Sequence, residues 1–394
     1  MARFVRRAAT FQTGIALVVA ALCSSAAAAE ELHWTHFGLR PLAMGNAFVA
    51  VADDYNALFY NPAGLARLKD WDGEILNPHF EVSANTVSFL KDLSGLASGA
   101  GGDTTAVLDL LEENTGKTHH FAAGITPHFV MQGFGIGAAV ELNTTLAIHR
   151  EIATEVDFGP RVIVPVMFAT NLLEDRLSVG GGLKFVAKGG VDREFSINDI
   201  EAFTEKKKTD DTAAVDPAAA STAVDDDKPE LKDYFEGGTG IGADVGMMFT
   251  PIKTMAPTLG ISITDLGGTP YKKYDIGGEA LSAPDARLPS VNAGISLMPY
   301  EANNMFVRTS VDAHAINQPV HYSKKFNLGA EWGYGSIIKV QSGLHQGEFS
   351  GGFEFDVFLF SVRFVTYAEQ LGTVAGQDEN LSDRRYALQL KLLI

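Results

Sequence analysis

Apolar side chains return at every second position along much of this chain. Beyond Glu30 no apolar run approaches the ~20 residues that a membrane helix requires. In the stretch 386–394 one face carries Tyr386, Leu388, Leu390, Leu392 and Ile394, and the other carries Ala387, Gln389, Lys391 and Leu393. From Phe326 to Tyr334, Phe326, Leu328, Ala330, Trp332 and Tyr334 oppose Asn327, Gly329, Glu331 and Gly333. Between 134 and 143, Phe134, Ile136, Ala138, Val140 and Leu142 oppose Gly135, Gly137, Ala139, Glu141 and Asn143. A strand places successive side chains on opposite faces, so this period of two predicts strands. Fourteen segments qualify: 74–85, 120–130, 133–149, 155–170, 177–195, 239–250, 258–266, 290–298, 305–313, 326–334, 337–344, 349–356, 358–368 and 386–394. Turn residues such as Asp265-Leu-Gly-Gly-Thr-Pro270 and Gly333-Tyr-Gly-Ser336 separate many of them.

Alternation does not say what each face meets, because a soluble sandwich alternates too. Three features favour a membrane barrel. The second face is rich in glycine with scattered charges of both signs, as a lumen requires. Many strands end in aromatic residues, as girdles at the membrane interfaces do. The first 29 residues read as a secretory signal peptide: Arg3, Arg6 and Arg7, then the apolar stretch Gly14 to Leu22, then small residues up to Ala29. The single cysteine, Cys23, lies inside that segment, so the mature chain is expected to have no disulfide. In a bilayer only helices and closed barrels satisfy their own backbone, so a secreted chain without a membrane helix still reaches the membrane as a barrel. The expected fold is all-β, a transmembrane antiparallel β-barrel of about fourteen strands over residues 71–394. It would sit integrally in the cell outer membrane of a Gram-negative envelope, among outer-membrane lipid and with help from the barrel assembly machinery.

The segment 197–233 breaks the pattern. It carries Lys206-Lys-Lys-Thr-Asp-Asp211 and Asp225-Asp-Asp-Lys-Pro229 around Ala-rich sequence, with few large apolar residues. It reads as a long acidic extracellular loop, and its aspartates match no calcium-loop spacing.

Residues 30–70 read as a hatch, or plug, of short helical pieces. Asp53 or Asp54 can cap a piece running through Tyr55, Leu58 and Phe59. Asn61 can cap the next, with Pro62 in its first turn, where a missing N–H costs nothing. These pieces are apolar on one side, and only a barrel lumen offers that side a partner. The stretch Arg40 to Leu68, RPLAMGNAFVAVADDYNALFYNPAGLARL, resembles the N-terminal signature of the FadL-type long-chain fatty acid outer-membrane transporters. The hatch motif Asn61, Pro62 and Ala63 matches their Asn-Pro-Ala. The resemblance implies a fourteen-stranded barrel with the N-terminal segment folded inside, a hydrophobic small-molecule ligand held beside it, and passive release sideways through the wall. The chain is also similar to PorV-type outer-membrane barrels over Gly240–Ile252, Leu259–Gly268 and Val365–Gly372. That similarity implies a different role, a non-transporting barrel that is partner or scaffold in a secretion or envelope complex.

Composition excludes other classes. The net charge of −17 and a pI of about 5.0 leave no footprint for nucleic acid. No nucleophile elbow or phosphate loop is legible, and His119-His120 lie on adjacent strand positions that point to opposite faces. The sequence therefore suggests no catalytic residue, no cofactor and no metal set. By parity the lumen side carries Glu141, Asn143, Asp244, Arg308, Asp312, Glu331, Lys339, Glu354, Asp356, Arg363, Gln389 and Lys391. A fatty acid carboxylate in an apolar pocket needs a cation, and Arg308, Lys339 and Arg363 are the candidates.

Overall fold

The computed structural model describes residues 38–98, 104–148, 154–196, 234–273, 275–276, 279–335, 337–357, 359–370 and 382–392. The signal segment 1–29 and the acidic loop 197–233 lie outside the described residues.

The alternating segments form a closed antiparallel barrel of fourteen wall strands. The first three are each bent into two pieces: β1 (Asp72–Glu74 and His79–Ser83), β2 (Thr118–Ile125 and His128–Met131) and β3 (Phe134–Gly137 and Ala139–Ile148). The others are β4 (Thr154–Leu172), β5 (Leu177–Phe195), β6 (Glu236–Phe249), β7 (Thr258–Thr264), β8 (Ser290–Ala302) and β9 (Met305–Ala313). They continue as β10 (Phe326–Tyr334), β11 (Ile338–His345), β12 (Glu348–Val357), β13 (Phe360–Gln370) and β14 (Ser382–Leu392). Closure comes from β14 against β1, in register from His79↔Gln389 to Ser83↔Arg385.

Parity places the side chains as the sequence reading expected. Phe80, Leu183, Ile241, Ile295, Trp332 and Leu388 face outward and are exposed. Every lumen candidate named from parity is buried or half-buried. An apolar belt of this size on a soluble protein would be an aggregation surface, whereas hydrocarbon tails match it. One end of the barrel has short connections, such as the Asn303-Asn304 turn with both residues at positive φ. The other end carries long ones, including 84–117 and 265–289. Short inner turns and long outer loops are the arrangement of outer-membrane barrels.

The connection 84–117 holds two helices, Thr86–Ser98 and Thr104–Glu113, that the strand-based reading did not anticipate. Phe89, Leu110 and Leu111 pack on Ile148, and the His119 ring stacks on Phe89 at 4.1 Å. His119 thus packs beneath an outer helix, while its neighbour His120 meets Thr145 at 2.9 Å.

The bends in β1, β2 and β3 lie side by side. Asn77 takes the place of a strand neighbour there. Its amide donates to the Thr126 carbonyl at 2.8 Å and its side-chain oxygen accepts from Thr126 N–H at 2.7 Å. Across the next bend, Ala138 N–H donates to the Pro127 carbonyl at 2.8 Å. The ladder therefore stays continuous from β1 through β4. Leu390 N–H of β14 reaches the Pro78 carbonyl at 3.0 Å, at the bend of β1. The lower piece of β1 keeps β2 as a neighbour, from Asp72↔Val130 to Glu74↔His128. Ile75 and Leu76, at the bend, are exposed.

Candidate functional site: the lumenal hatch and the wall it rests on

Residues 38–68 fill the lumen near its short-connection end. They comprise helices Leu39–Ala43 and Ala57–Tyr60 and the 3-10 helix Pro62–Arg67. Asn61 caps the 3-10 helix, its side-chain oxygen accepting from Ala63 N–H at 3.2 Å, with Pro62 at the first helical position. The same side chain donates to the Val49 carbonyl at 2.9 Å and to the Met247 carbonyl on β6 at 3.3 Å. Asn61 therefore does two jobs. It starts a helix, and it ties two stretches of hatch to the wall. Asp54 accepts from Asn56 N–H at 2.8 Å just before the short helix, close to where the sequence reading placed a cap.

Burial of the hatch is nearly complete. Met44, Phe48, Tyr55, Leu58, Tyr60 and Leu65 pack with wall residues Val130, Ile163, Met167, Val186 and Met248. Leu39, Leu42 and Ala43 pack on Val365, Tyr367 and Ala387. Glycines in the wall make this approach possible. A Cβ at Gly246 would lie 2.0 Å from the Asn61 side-chain oxygen, and one at Gly180 would lie 2.6 Å from the Pro62 carbonyl carbon. The lumen glycines that the sequence showed as a feature of one face are the seats of the hatch.

Ion pairs also tie the hatch to the wall. Arg40 gives Nε to Glu331 Oε1 at 2.8 Å and Nη2 to Oε2 at 2.7 Å. Its Nη1 reaches Asp53 and Asp54, each at 2.8 Å. Arg308 of β9 contacts Asp53 at 2.7 Å and Glu331 at 3.6 Å. Burial opposes ionisation of Asp53, but Arg308 and Arg40 overcome it and hold the carboxyl well below the usual carboxylate range. Backbone groups of the hatch are also claimed: Asp312 accepts from Val49 N–H at 2.6 Å, and Ser310 donates to the Ala47 carbonyl at 2.7 Å.

The other two cations read as ligand contacts belong to a second network. Glu354 joins Lys339 at 3.1 Å and Arg363 Nε at 3.0 Å, and Arg363 also donates to Gln389 at 2.9 Å. Arg308 is thus separated from Lys339 and Arg363, and all three are already paired with carboxylates. Lys339 keeps the most exposed side chain, 23% against 12% for Arg308 and 2% for Arg363. Parity identified these residues but not their partners, since pairing joins residues far apart in the chain.

Towards the long-connection end the lumen is polar. Glu369 receives His345 at 3.2 Å and Gln346 at 2.7 Å, Arg385 holds Asp383 at 2.7 Å, and Tyr367 donates to Glu81 at 2.7 Å. These buried side chains form a hydrogen-bonded polar layer beside the hatch.

No known protein family and no curated protein matches the sequence. Among solved structures, the CymD monoaromatic hydrocarbon channel superposes with a TM-score of 0.51 at 12% identity, over 92% of this chain and 98% of that one. The toluene transporter TodX of P. putida gives 0.49 at 11% identity over 91% and 97%. A FadL homologue of Pseudomonas aeruginosa gives 0.31 at 9% identity over 93% and 99%. At such identities the likeness to CymD concerns fold and nothing finer. With the hatch seated in the lumen and an apolar exterior belt, the chain is a closed fourteen-strand antiparallel β-barrel, the fold it shares with CymD.

Proposed function

We propose that this barrel takes up hydrophobic small molecules across the outer membrane by passive transfer, with release through the wall. The observation that carries the reading is the bend of β1 at its seam with β14. Among the described residues the pairing runs from Ser83↔Arg385 to His79↔Gln389 and closes with Leu390 N–H on the Pro78 carbonyl, and the hatch residue Tyr55 lies behind this end of the seam, its ring 5.1 Å from Lys391 Nζ. A molecule leaving sideways would pass Ile75 and Leu76 on the lipid side. Glu74 and Lys391, 3.1 Å apart, span this end of the seam as a latch. Long-chain fatty acids are the substrate class suggested by the N-terminal signature, and Lys339 is the carboxylate contact we favour because it is the least enclosed of the three cations.

A second reading has its own support. The buried polar layer and the ion pairs that clamp the hatch suit a barrel that stays shut and serves as a partner in a secretion or envelope complex. The two readings separate in one experiment, uptake of labelled oleate and labelled toluene by cells carrying the wild type, Lys339→Ala or an empty vector. Uptake of either compound above the vector supports transport, and a selective loss of oleate in Lys339→Ala supports the carboxylate contact. Wild-type uptake equal to the vector for both compounds removes the transport reading and leaves the partner barrel.

A further inference from the structure

We propose that Asp72, Glu74 and His128 form a divalent-cation site, of the zinc class, at the inner end of the bent strands β1 and β2. The three ligand atoms lie within 4.8 Å of one another. No sequence motif announces the set, because strand pairing brings His128 opposite Glu74 across 54 residues of chain. The proposal stands apart from the uptake reading and does not depend on it.

Four observations support it. The first is the tautomer. His128 Nδ1 lies 2.8 Å from the Thr126 carbonyl, which only accepts, so Nδ1 carries the proton. Nε2 then faces the Asp72 carboxylate at 3.3 Å, and what joins them is either a second proton or a cation. A ring nitrogen donated to a backbone carbonyl is the usual way a metal-binding histidine is oriented. Distance is the second observation. Metal–ligand bonds of ~2.0–2.1 Å in a tetrahedron place neighbouring ligand atoms roughly 3.3 Å apart. Asp72 and His128 already have that separation.

Rigidity and access complete the case. The His128 side chain is fully enclosed, and its ring stacks on Tyr55 of the hatch at 4.1 Å with 13° between planes. Asp72 is half-exposed, so an ion has a route in from the short-connection end. Glu74 is held on both oxygens, by Asn77 at 3.0 Å and Lys391 at 3.1 Å. Lys391 is the one nearby cation in contact with the set among the described residues, and it opposes a metal by like charge. One imidazole and two carboxylates suit zinc or manganese better than calcium, which takes six to eight oxygens.

The test uses the full-length, tag-free barrel in detergent, with heat-resistant mobility on gels confirming assembly of each variant. Zn²⁺ binding is followed by calorimetry and Co²⁺ binding by its visible absorption. The wild type is expected to bind one more equivalent of Zn²⁺ than His128→Gln and to give the intense Co²⁺ bands of a tetrahedral site. Asp72→Asn, which keeps shape and loses charge, is expected to weaken that equivalent at least ~10-fold. Lys391→Met is expected to tighten it, which adventitious binding to loop aspartates would not do. Equal stoichiometry and affinity in the wild type and His128→Gln, or no tightening in Lys391→Met, overturns the proposal.

Discussion

Arg40 in the hatch and Glu331 in the wall meet as a two-pronged ion pair, at 2.8 and 2.7 Å, across 291 residues of sequence. Both side chains are buried, and the pair is extended by Asp53, Asp54 and Arg308 into a network. It joins the hatch to the centre of a wall strand.

Breaking that pair should loosen the hatch and spare the barrel. Removing one partner of a buried ion pair costs about 3–5 kcal/mol, because the other charge stays buried. Glu331→Gln is expected to expose residues 38–68 to protease and to raise single-channel conductance in planar bilayers. Heat-resistant mobility should be retained, since the wall ladders do not run through Arg40. Loss of assembly in Glu331→Gln would make the hatch part of the folding core.

Neighbouring residues of β14 should answer oppositely to the same charge. Leu388 is exposed to the lipid side, whereas Gln389 is buried and receives Arg363 at 2.9 Å. Leu388→Asp puts a carboxylate into hydrocarbon at a depth-dependent cost, less than the about 2–4 kcal/mol of a lysine or arginine at the midplane. Gln389→Asp gives Arg363 a further partner and should assemble like the wild type. Comparable yields of assembled barrel for the two would mean that the faces are assigned wrongly.

The seat of the hatch can be disturbed from either side. Asn61→Ala removes a cap, at about 1 kcal/mol. Gly246→Ala forces a methyl against the same Asn61 oxygen, and overpacking of this kind costs about 1–3 kcal/mol. Both are expected to raise hydrogen exchange over 47–66 while leaving exchange in β6 slow. The double variant should be less than additive, because the second change acts on a contact the first has already lost. Full additivity would separate the two sites.

Acid should release the hatch late. Asp53 is held below the usual carboxylate range by Arg308 and Arg40 against the cost of burial. An unfolded aspartate titrates near ~3.9, so the stabilisation is complete above that value and fades as pH falls towards the lower folded one. Hydrogen exchange in 38–68, corrected for its intrinsic rate, should stay flat between about pH 8 and pH 5 and rise below about pH 4. Asp53→Asn should exchange faster at neutral pH and show less further rise in acid. A wild-type rise already centred near neutrality would assign the pH response to another group.

Much of the wall was legible in the sequence because a strand has a strictly local rule. Side chains at i and i+2 share a face, so Leu388 and Gln389 were sorted to opposite sides without knowledge of any neighbour. Asn61-Pro62 was legible for the same reason, since a cap and the residue after it are adjacent in the chain. Period two also located β1, β2 and β3, although each proves to be bent. The bends escaped notice because Asn77 stands in for a ladder partner through its side chain, and that exchange needs Thr126 at its side. Only the tertiary structure decided that β14 closes the barrel against β1, that Arg308 belongs to the hatch while Lys339 and Arg363 belong to Glu354, and that Asp72, Glu74 and His128 converge. Each of these depends on register and closure, which pair residues dozens to hundreds of positions apart. The periodicity of a single strand carries no information about which other strand lies beside it.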